Sequence, residues 1–334
     1  MKFNNLPEIN TIKSSSDFDY LKKLAIENNF FEHLNKYAVS TLNLSKIKNF
    51  IIACIEEKEV KTKLTSKPYR IIIDPTNACN LGCPLCPTGL GQSQRTKGIL
   101  KFDDFKKIIN EAEDYCIELH LYNWGEPTLN KNLVEMLKYA KSKNIWTRIS
   151  SNLSLKYKGD YVEKLIKSGL SLLHVDIDGI DQDVYSKYRK KGDLNIVIDN
   201  LKKIKEIKKQ NNLKEPIIEL AMLAMKQNEH QHKDFFNFAE QLNADEIKID
   251  KIQHNPNMDE DWLPANKELI YKTYEGGKAN SNSSNEEEIK QCHWPWSGIV
   301  INWDGGTNPC CIIDDPKSDF GNAIKNSIEQ IWNN

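Results

Sequence analysis

Between Tyr69 and Lys251 the chain alternates between two hydrophobic periods, and nothing else in it restricts the fold so strongly. Apolar runs at 69–74, 117–124, 145–150, 172–178, 217–225 and 246–251 carry the two-residue period of strands. Between them lie helical repeats. These are Phe102, Phe105, Ile108, Ile109 and Ala112; Leu133, Leu137 and Ala140; Val162, Leu165 and Ile166, stopped by Gly169; Leu194, Val197, Ile198, Leu201 and Ile204; and the run 235–242. Strand–helix units in series pair as parallel strands with right-handed crossovers. Six units are fewer than the eight that close a full barrel, so the pattern predicts an open, partial barrel of the α/β class.

Side-chain parity along the strands adds a second constraint. Ile71 and Ile73 oppose Arg70 and Asp74; Leu119 and Leu121 oppose His120, Tyr122 and Trp124. Ile145 and Ile149 oppose Arg148, Ser150 and Asn152; Leu173, Val175 and Ile177 oppose His174, Asp176 and Asp178; Ile247 and Ile249 oppose Lys248 and Asp250. A parallel strand buried on both faces reads as a continuous apolar run, which these do not. One face therefore lies under the helices. The other either bounds a ligand-filled lumen or meets solvent.

Composition sets the frame. The chain has 334 residues, 39% of them hydrophobic and 28% charged, with a formal net charge of −1. No global charge favours nucleic acid, no apolar run approaches a membrane span, and Met1 to Asp17 is polar, unlike a secretion signal. Eight cysteines without such a signal indicate a reducing cytoplasm. Residues 1–68 read as a helical extension, with Ile47, Phe50, Ile51, Cys54 and Ile55 on one face and Pro68 ending it. The barrel is expected over 69–255. A polar stretch over 256–288, with Gly276-Gly277 and the run from Asn280 to Glu288, reads as a linker. A small C-terminal unit is expected over 289–334.

The first strand leads into Cys79, Cys83 and Cys86, spaced C-x3-C-x2-C with no fourth cysteine or histidine beside them. Structural zinc takes four protein ligands. Three thiolates on a short loop suit a 4Fe–4S cubane with one iron left open. The alternative is three buried or zinc-binding cysteines.

This loop resembles the cluster loop of the radical S-adenosylmethionine (radical SAM) superfamily. The resemblance implies a partial (β/α)6 TIM-like barrel whose open iron is chelated by the amino and carboxylate groups of S-adenosyl-L-methionine. One electron then cleaves the sulfonium, and the adenosyl fragment abstracts hydrogen from substrate. Leu85 falls where the family keeps an apolar residue against the adenine. Trp124-Gly125-Glu126-Pro127 resembles the family's G-G-E-P motif, which binds the cofactor's amino group. Ser150-Ser151-Asn152 and Asp176-Ile177-Asp178 resemble its ribose- and carboxylate-contacting strand ends. Arg189 either pairs with the cofactor carboxylate or is a solvated helix residue.

Cys292, Gly305, Cys310 and Cys311 resemble the first half of a SPASM/twitch extension, which carries auxiliary iron–sulfur clusters. Trp303-Asp304-Gly305-Gly306 would form its hairpin turn. Later cysteines of that pattern are missing before Asn334. Cys292 and Cys310 are the expected ligands, with Cys311 or His293 as substitutes; otherwise the pair is simply buried, or the sequence is truncated.

The implied activity is reductive cleavage of S-adenosylmethionine and hydrogen abstraction from a polar substrate, either a peptide or a sugar-type small molecule. A flavodoxin or ferredoxin would supply the electron. A cluster-stabilised binding module would need a fourth ligand, which the sequence does not show. An RNA-modifying enzyme would need a basic face.

Overall fold

The computed structural model describes residues 17–253, 259–271 and 292–333, together with Ile9. Gly276-Gly277 and the Asn280–Glu288 run lie outside the described residues.

Two N-terminal helices, α1 (Asp17–Glu27) and α2 (Leu44–Lys58), precede the first strand. The central sheet contains β1 (Arg70–Ile73), β2 (Glu118–His120), β3 (Trp146–Ser151), β4 (Leu172–Asp176), β5 (Ile217–Leu223) and β6 (Glu246–Asp250). The intervening helices are α3 (Pro87–Leu90), α4 (Phe102–Ala112), α5 (Leu133–Ser142), α6 (Tyr161–Ile166), α7 (Gln182–Tyr188), α8 (Leu194–Gln210) and α9 (His232–Gln241). β1 through β6 pair in parallel and in sequence order, as the expected partial barrel requires.

The apolar parity is the core. Ile71, Ile73, Leu119, Leu121, Ile149, Leu173, Val175 and Ile177 pack with Phe105, Ile108, Leu137, Leu165, Val197 and Leu201 from the helices. The opposite parity forms a charged inner face, as the lumen reading predicts. Arg148 lies 2.8 Å from Glu219, and His174 lies 2.5 Å from Glu219 and 3.1 Å from Asp176.

The N-terminal extension seals the end of the barrel where the strands begin. Tyr69, Ile117, Trp146 and Leu172 pack against Phe50, Ile51 and Ile55. Arg70 donates to the His33 carbonyl and to Glu118, and the Asn35 N–H also donates to Glu118. Cys54 and Cys116 are buried core residues. That leaves the C-terminal strand ends as the accessible face, where such folds place their chemistry.

Two segments depart from the sequence expectation. The C-terminal unit expected over 289–334 is joined to the barrel through its sheet, a connection no local pattern shows. After α10 (Trp294–Ser297), β9 (Gly298–Ile301) lies parallel to β1, and β10 (Gly306–Asn308) and β11 (Gly321–Asn322) extend the same nine-stranded sheet. The hairpin turn falls at Trp303–Gly306 as expected, with Gly305 at φ 84°. The chain ends in α11 (Ile328–Trp332), whose Ile328 and Ile331 join the main core.

The second departure is residues 259–271, assigned to the linker. β7 (Ile252–Gln253) pairs with β8 (Ile270–Tyr271), and Trp262, Leu263 and Ile270 pack beside Leu81, Cys83, Tyr188 and Met225. Composition averaged over the polar run hides these apolar residues.

Candidate functional site

The cysteine loop leaves β1 at the accessible end of the barrel. Cys83 sits in an apolar cluster with Leu81, Tyr188, Met225 and Ile252, and Cys79, Leu85 and Cys86 pack against that cluster. The Cys86 N–H donates to the Cys83 carbonyl at 3.1 Å, and Cys86 precedes Pro87, the first residue of α3. Burial pushes the Cys83 thiol up to about 11, against the pull of Arg189, and also raises Cys79. Loading a metal here would therefore release protons. Among the described residues no three His, Cys, Asp or Glu side chains converge as a single-ion cage. A cubane binds each thiolate at a different iron, so three thiols with no fourth protein ligand beside them in sequence suit it better than they suit zinc.

The Trp124–Pro127 turn is tied to this loop. The Glu126 N–H donates to the Ala78 carbonyl at 2.8 Å. Gly125 has no room for a side chain: a Cβ would overlap the Thr76 carbonyl and lie 2.7 Å from that of Ala78. The Glu126 carboxylate is turned inward. It accepts from the Thr128 N–H at 3.1 Å, the Thr128 hydroxyl at 2.6 Å, the Ser151 hydroxyl at 2.8 Å and the Asn152 N–H at 2.8 Å. Burial raises its pKa, and these donors oppose the shift. With its carboxylate engaged by Thr128, Ser151 and Asn152, Glu126 braces the turn. Pro127 begins the following 3-10 turn and is buried.

Asp178 and Arg189 meet directly. Arg189 Nε lies 2.5 Å from Asp178, and its terminal nitrogen lies 3.5 Å from Asp176. The Arg189 side chain is 13% exposed, so it is not a solvated helix residue. Asp178 also accepts from the Leu223 N–H at 2.8 Å. Burial lifts the Asp178 pKa despite Arg189. Burial acts on Asp176 in the same direction, but His174 and Arg189 overcome it and hold Asp176 well below the usual carboxylate range. Ser150 donates to Asp176 at 3.1 Å.

Sequence reasoning missed several residues. Glu219 follows the same parity rule on β5, and extending that rule by one strand would have found it. Ser151, in the Ser150–Asn152 motif, carries no sequence signal of its own role, which is to brace Glu126 through its hydroxyl. Asp74, just after β1, is buried with its carboxylate toward the N–H groups of Gly125, Trp124 and Thr76 but without a well-formed hydrogen bond. Burial is the main cause that raises it to about 8.

Cys310 and Cys311 form a turn after β10. With its amide turned to face donor to acceptor, Asn123 donates to the Cys311 carbonyl at 3.3 Å and accepts from Trp124 Nε1 at 3.0 Å. Ser93 and Gln94, just beyond α3, donate to Asp314 at 3.1 and 2.8 Å. Arg95 is buried between Asp304 and Asp319, 2.6 Å from each. The C-terminal hairpin thus grips the segment leaving the cysteine loop. Cys292 is exposed, beside His293.

A parallel partial barrel with this cysteine loop defines an iron–sulfur enzyme scaffold, and comparison with known proteins gives the family. The chain belongs to the radical SAM superfamily, whose model matches residues 73–239, half of its length. An iron-sulfur cluster-binding domain model (SPASM) matches residues 292–334. These domains imply a 4Fe–4S cluster and S-adenosylmethionine in the barrel, and auxiliary iron–sulfur binding in the C-terminal part. A PqqA peptide cyclase of Bradyrhizobium diazoefficiens is 26% identical over 60% of this chain and 50% of its own length. The 7,8-dihydro-6-hydroxymethylpterin dimethyltransferase of Methanocaldococcus jannaschii is 32% identical over 40% of this chain and 27% of its own length. The chain spans about half or less of these relatives. The crystal structure of Streptococcus suis SuiB bound to S-adenosylmethionine has a TM-score of 0.64 at 16% identity, covering 93% of this chain and 76% of that one. Native anSMEcpe with bound AdoMet has a TM-score of 0.53 at 14% identity, covering 79% and 80%. At these identities the likeness is one of fold. Among the described residues no helix is long and apolar enough to cross a membrane.

Proposed function

We propose that the chain is a radical SAM enzyme that acts on a peptide substrate. The observation carrying this reading is the hydrogen bond between the Glu126 N–H and the Ala78 carbonyl, which fixes the Gly125 turn beside Cys79. Cys79, Cys83 and Cys86 would hold the cluster, with its remaining iron free of protein ligands. Once bound, the cofactor supplies one-electron cleavage of its sulfonium and hydrogen abstraction from substrate.

The chain's own residues position and shield. The turn at Gly125 lets the backbone approach a ligand without a Cβ in the way. Arg189 keeps a positive charge at the strand ends, fixed by Asp176 and Asp178, where a carboxylate can be attracted. Leu85, Met225, Tyr188 and Ile252 keep water from the thiolates. The charged inner face, from Arg148 to Lys248, suits a polar substrate.

The similarity to a PqqA peptide cyclase favours a peptide over a sugar. Cys292 and Cys310 would contribute to an auxiliary cluster, and a cytoplasmic flavodoxin or ferredoxin would deliver the electron. The test is anaerobic reconstitution followed by reduction. The wild type should load about four irons in this cluster and form 5′-deoxyadenosine, and Cys83→Ala should form none. Stoichiometric zinc without cleavage would overturn the proposal.

A further inference from the structure

Asn152 stands where the family resemblance suggests a ribose contact, yet its side chain is already committed. Its Oδ1 accepts from the Ser154 N–H at 2.8 Å, which fixes the orientation of the amide. Its Nδ2 therefore points the other way, 3.0 Å from Asn80 Oδ1 and 3.9 Å from the sulfur of Cys79. Asn80 is oriented independently, because its own Nδ2 donates to the Ser154 carbonyl at 3.1 Å. The two amides and the Ser154 backbone close a ring. An asparagine has two N–H donors; here one goes to Asn80 and the other to Cys79.

The backbone is built to hold this arrangement. Leu153, the next residue, is buried and adopts φ 47°, a region that L side chains rarely occupy. Its N–H donates to the Ser151 hydroxyl at 3.1 Å, and the Asn152 N–H is held by Glu126. Strain of this kind persists only where the surroundings enforce it, and it marks functional positions. Asn152 itself is 5% exposed, so little of it faces a ligand.

We propose that Asn152 is a positioning residue that donates a hydrogen bond to the Cys79 thiolate and sets the reduction potential of the cluster bound there. The inference rests on the cluster assignment above. A donor to a ligating sulfur stabilises the more negative, reduced cluster, and such bonds are among the protein's means of setting potential. Leu81 N–H, 3.4 Å from the same sulfur, is a second donor that side-chain changes leave in place.

The experiment is an EPR-monitored redox titration of reconstituted wild type, Asn152→Ser and Asn152→Asp, with S-adenosylmethionine affinity measured by equilibrium dialysis. Both replacement side chains can still accept from the Ser154 N–H and keep the turn, but neither donates an amide N–H to Cys79. Expected for Asn152→Ser is a negative shift, an about tenfold lower reduced-to-oxidised ratio at fixed potential, or about 59 mV for one electron. Asn152→Asp should shift further, and both should keep wild-type affinity for S-adenosylmethionine. An unchanged potential with weakened affinity would overturn the proposal and restore Asn152 as a cofactor contact. Failure of a folded Asn152→Ser to load iron would also count against it, because a tuning donor is not needed for assembly. A wild type without any reducible cluster would instead remove the function reading, and this inference with it.

Discussion

Glu126 and Ala78 are joined by a backbone hydrogen bond of 2.8 Å, so the turn after β2 and the cysteine loop after β1 behave as one body. Gly125 makes that approach possible. Gly125→Ala should force the two segments apart, costing about 1–3 kcal/mol in urea unfolding. Iron loading and S-adenosylmethionine affinity should fall together. Loss of only one would show that the segments are not coupled.

The inner-face charges give a pH dependence with two limbs. Glu118 and Glu219 are each held at about 2, because Arg70 for the first and His174 with Arg148 for the second outweigh burial. Depressed carboxylates stabilise above their unfolded value of 4.5, and that contribution is lost as pH falls from there toward 2. His174 is the opposite case: burial lowers it, but Asp176 and Glu219 raise it above 6.5. Its contribution is complete below 6.5 and lost as pH rises through its folded value. Unfolding midpoints against pH should thus decline on both sides of a plateau, and His174→Gln should remove the alkaline decline and weaken the acid one, because His174 also depresses Glu219 and Asp176.

Arg95 joins the cysteine-loop segment to the C-terminal hairpin. With its side chain 2% exposed, truncation strands two carboxylates. Arg95→Ala should cost about 1–3 kcal/mol, since both carboxylates keep some access to water. Hydrogen exchange should rise in both 93–98 and 298–308, whereas a purely local role would raise only the former.

The strand faces make a stringent comparison. Val175 is fully buried in the helix-covered core and Asp178 lies on the inner face. Val175→Asp should cost several kcal/mol, the penalty of an unpaired buried charge, and leave little folded protein. Asp178→Asn keeps the shape and should lower S-adenosylmethionine affinity more than stability. Circular dichroism and equilibrium dialysis separate the two effects.

The barrel was legible in the sequence because parity on β1 to β4 and β6 assigns Ile71, Leu119, Ile149, Val175 and Ile249 to one side without any tertiary information. The cysteine spacing was legible for a different reason: ligand count constrains the metal chemistry directly. What the sequence could not show were interactions made across strands. Arg189 reads equally as a solvated helix residue until Asp178 is found beside it. Glu126 reads as a ligand-binding acid until Ser151, Thr128 and Asn152 fill its oxygens. The attachment of the C-terminal unit was not legible, because no local pattern reveals that β9 pairs with β1, more than 200 residues earlier. Trp262 and Leu263 were lost in a polar average.

The central claim is an iron left open by a three-cysteine loop, and the most direct measurement is EPR of the reduced cluster with and without S-adenosylmethionine. The cluster signal should change shape when the cofactor is added, because a vacant coordination position is being filled. The change should survive in a Cys292→Ser/Cys310→Ser variant, which removes the C-terminal thiolates. A signal indifferent to S-adenosylmethionine, in protein whose Cys79, Cys83 and Cys86 are all metal-bound, would contradict the account.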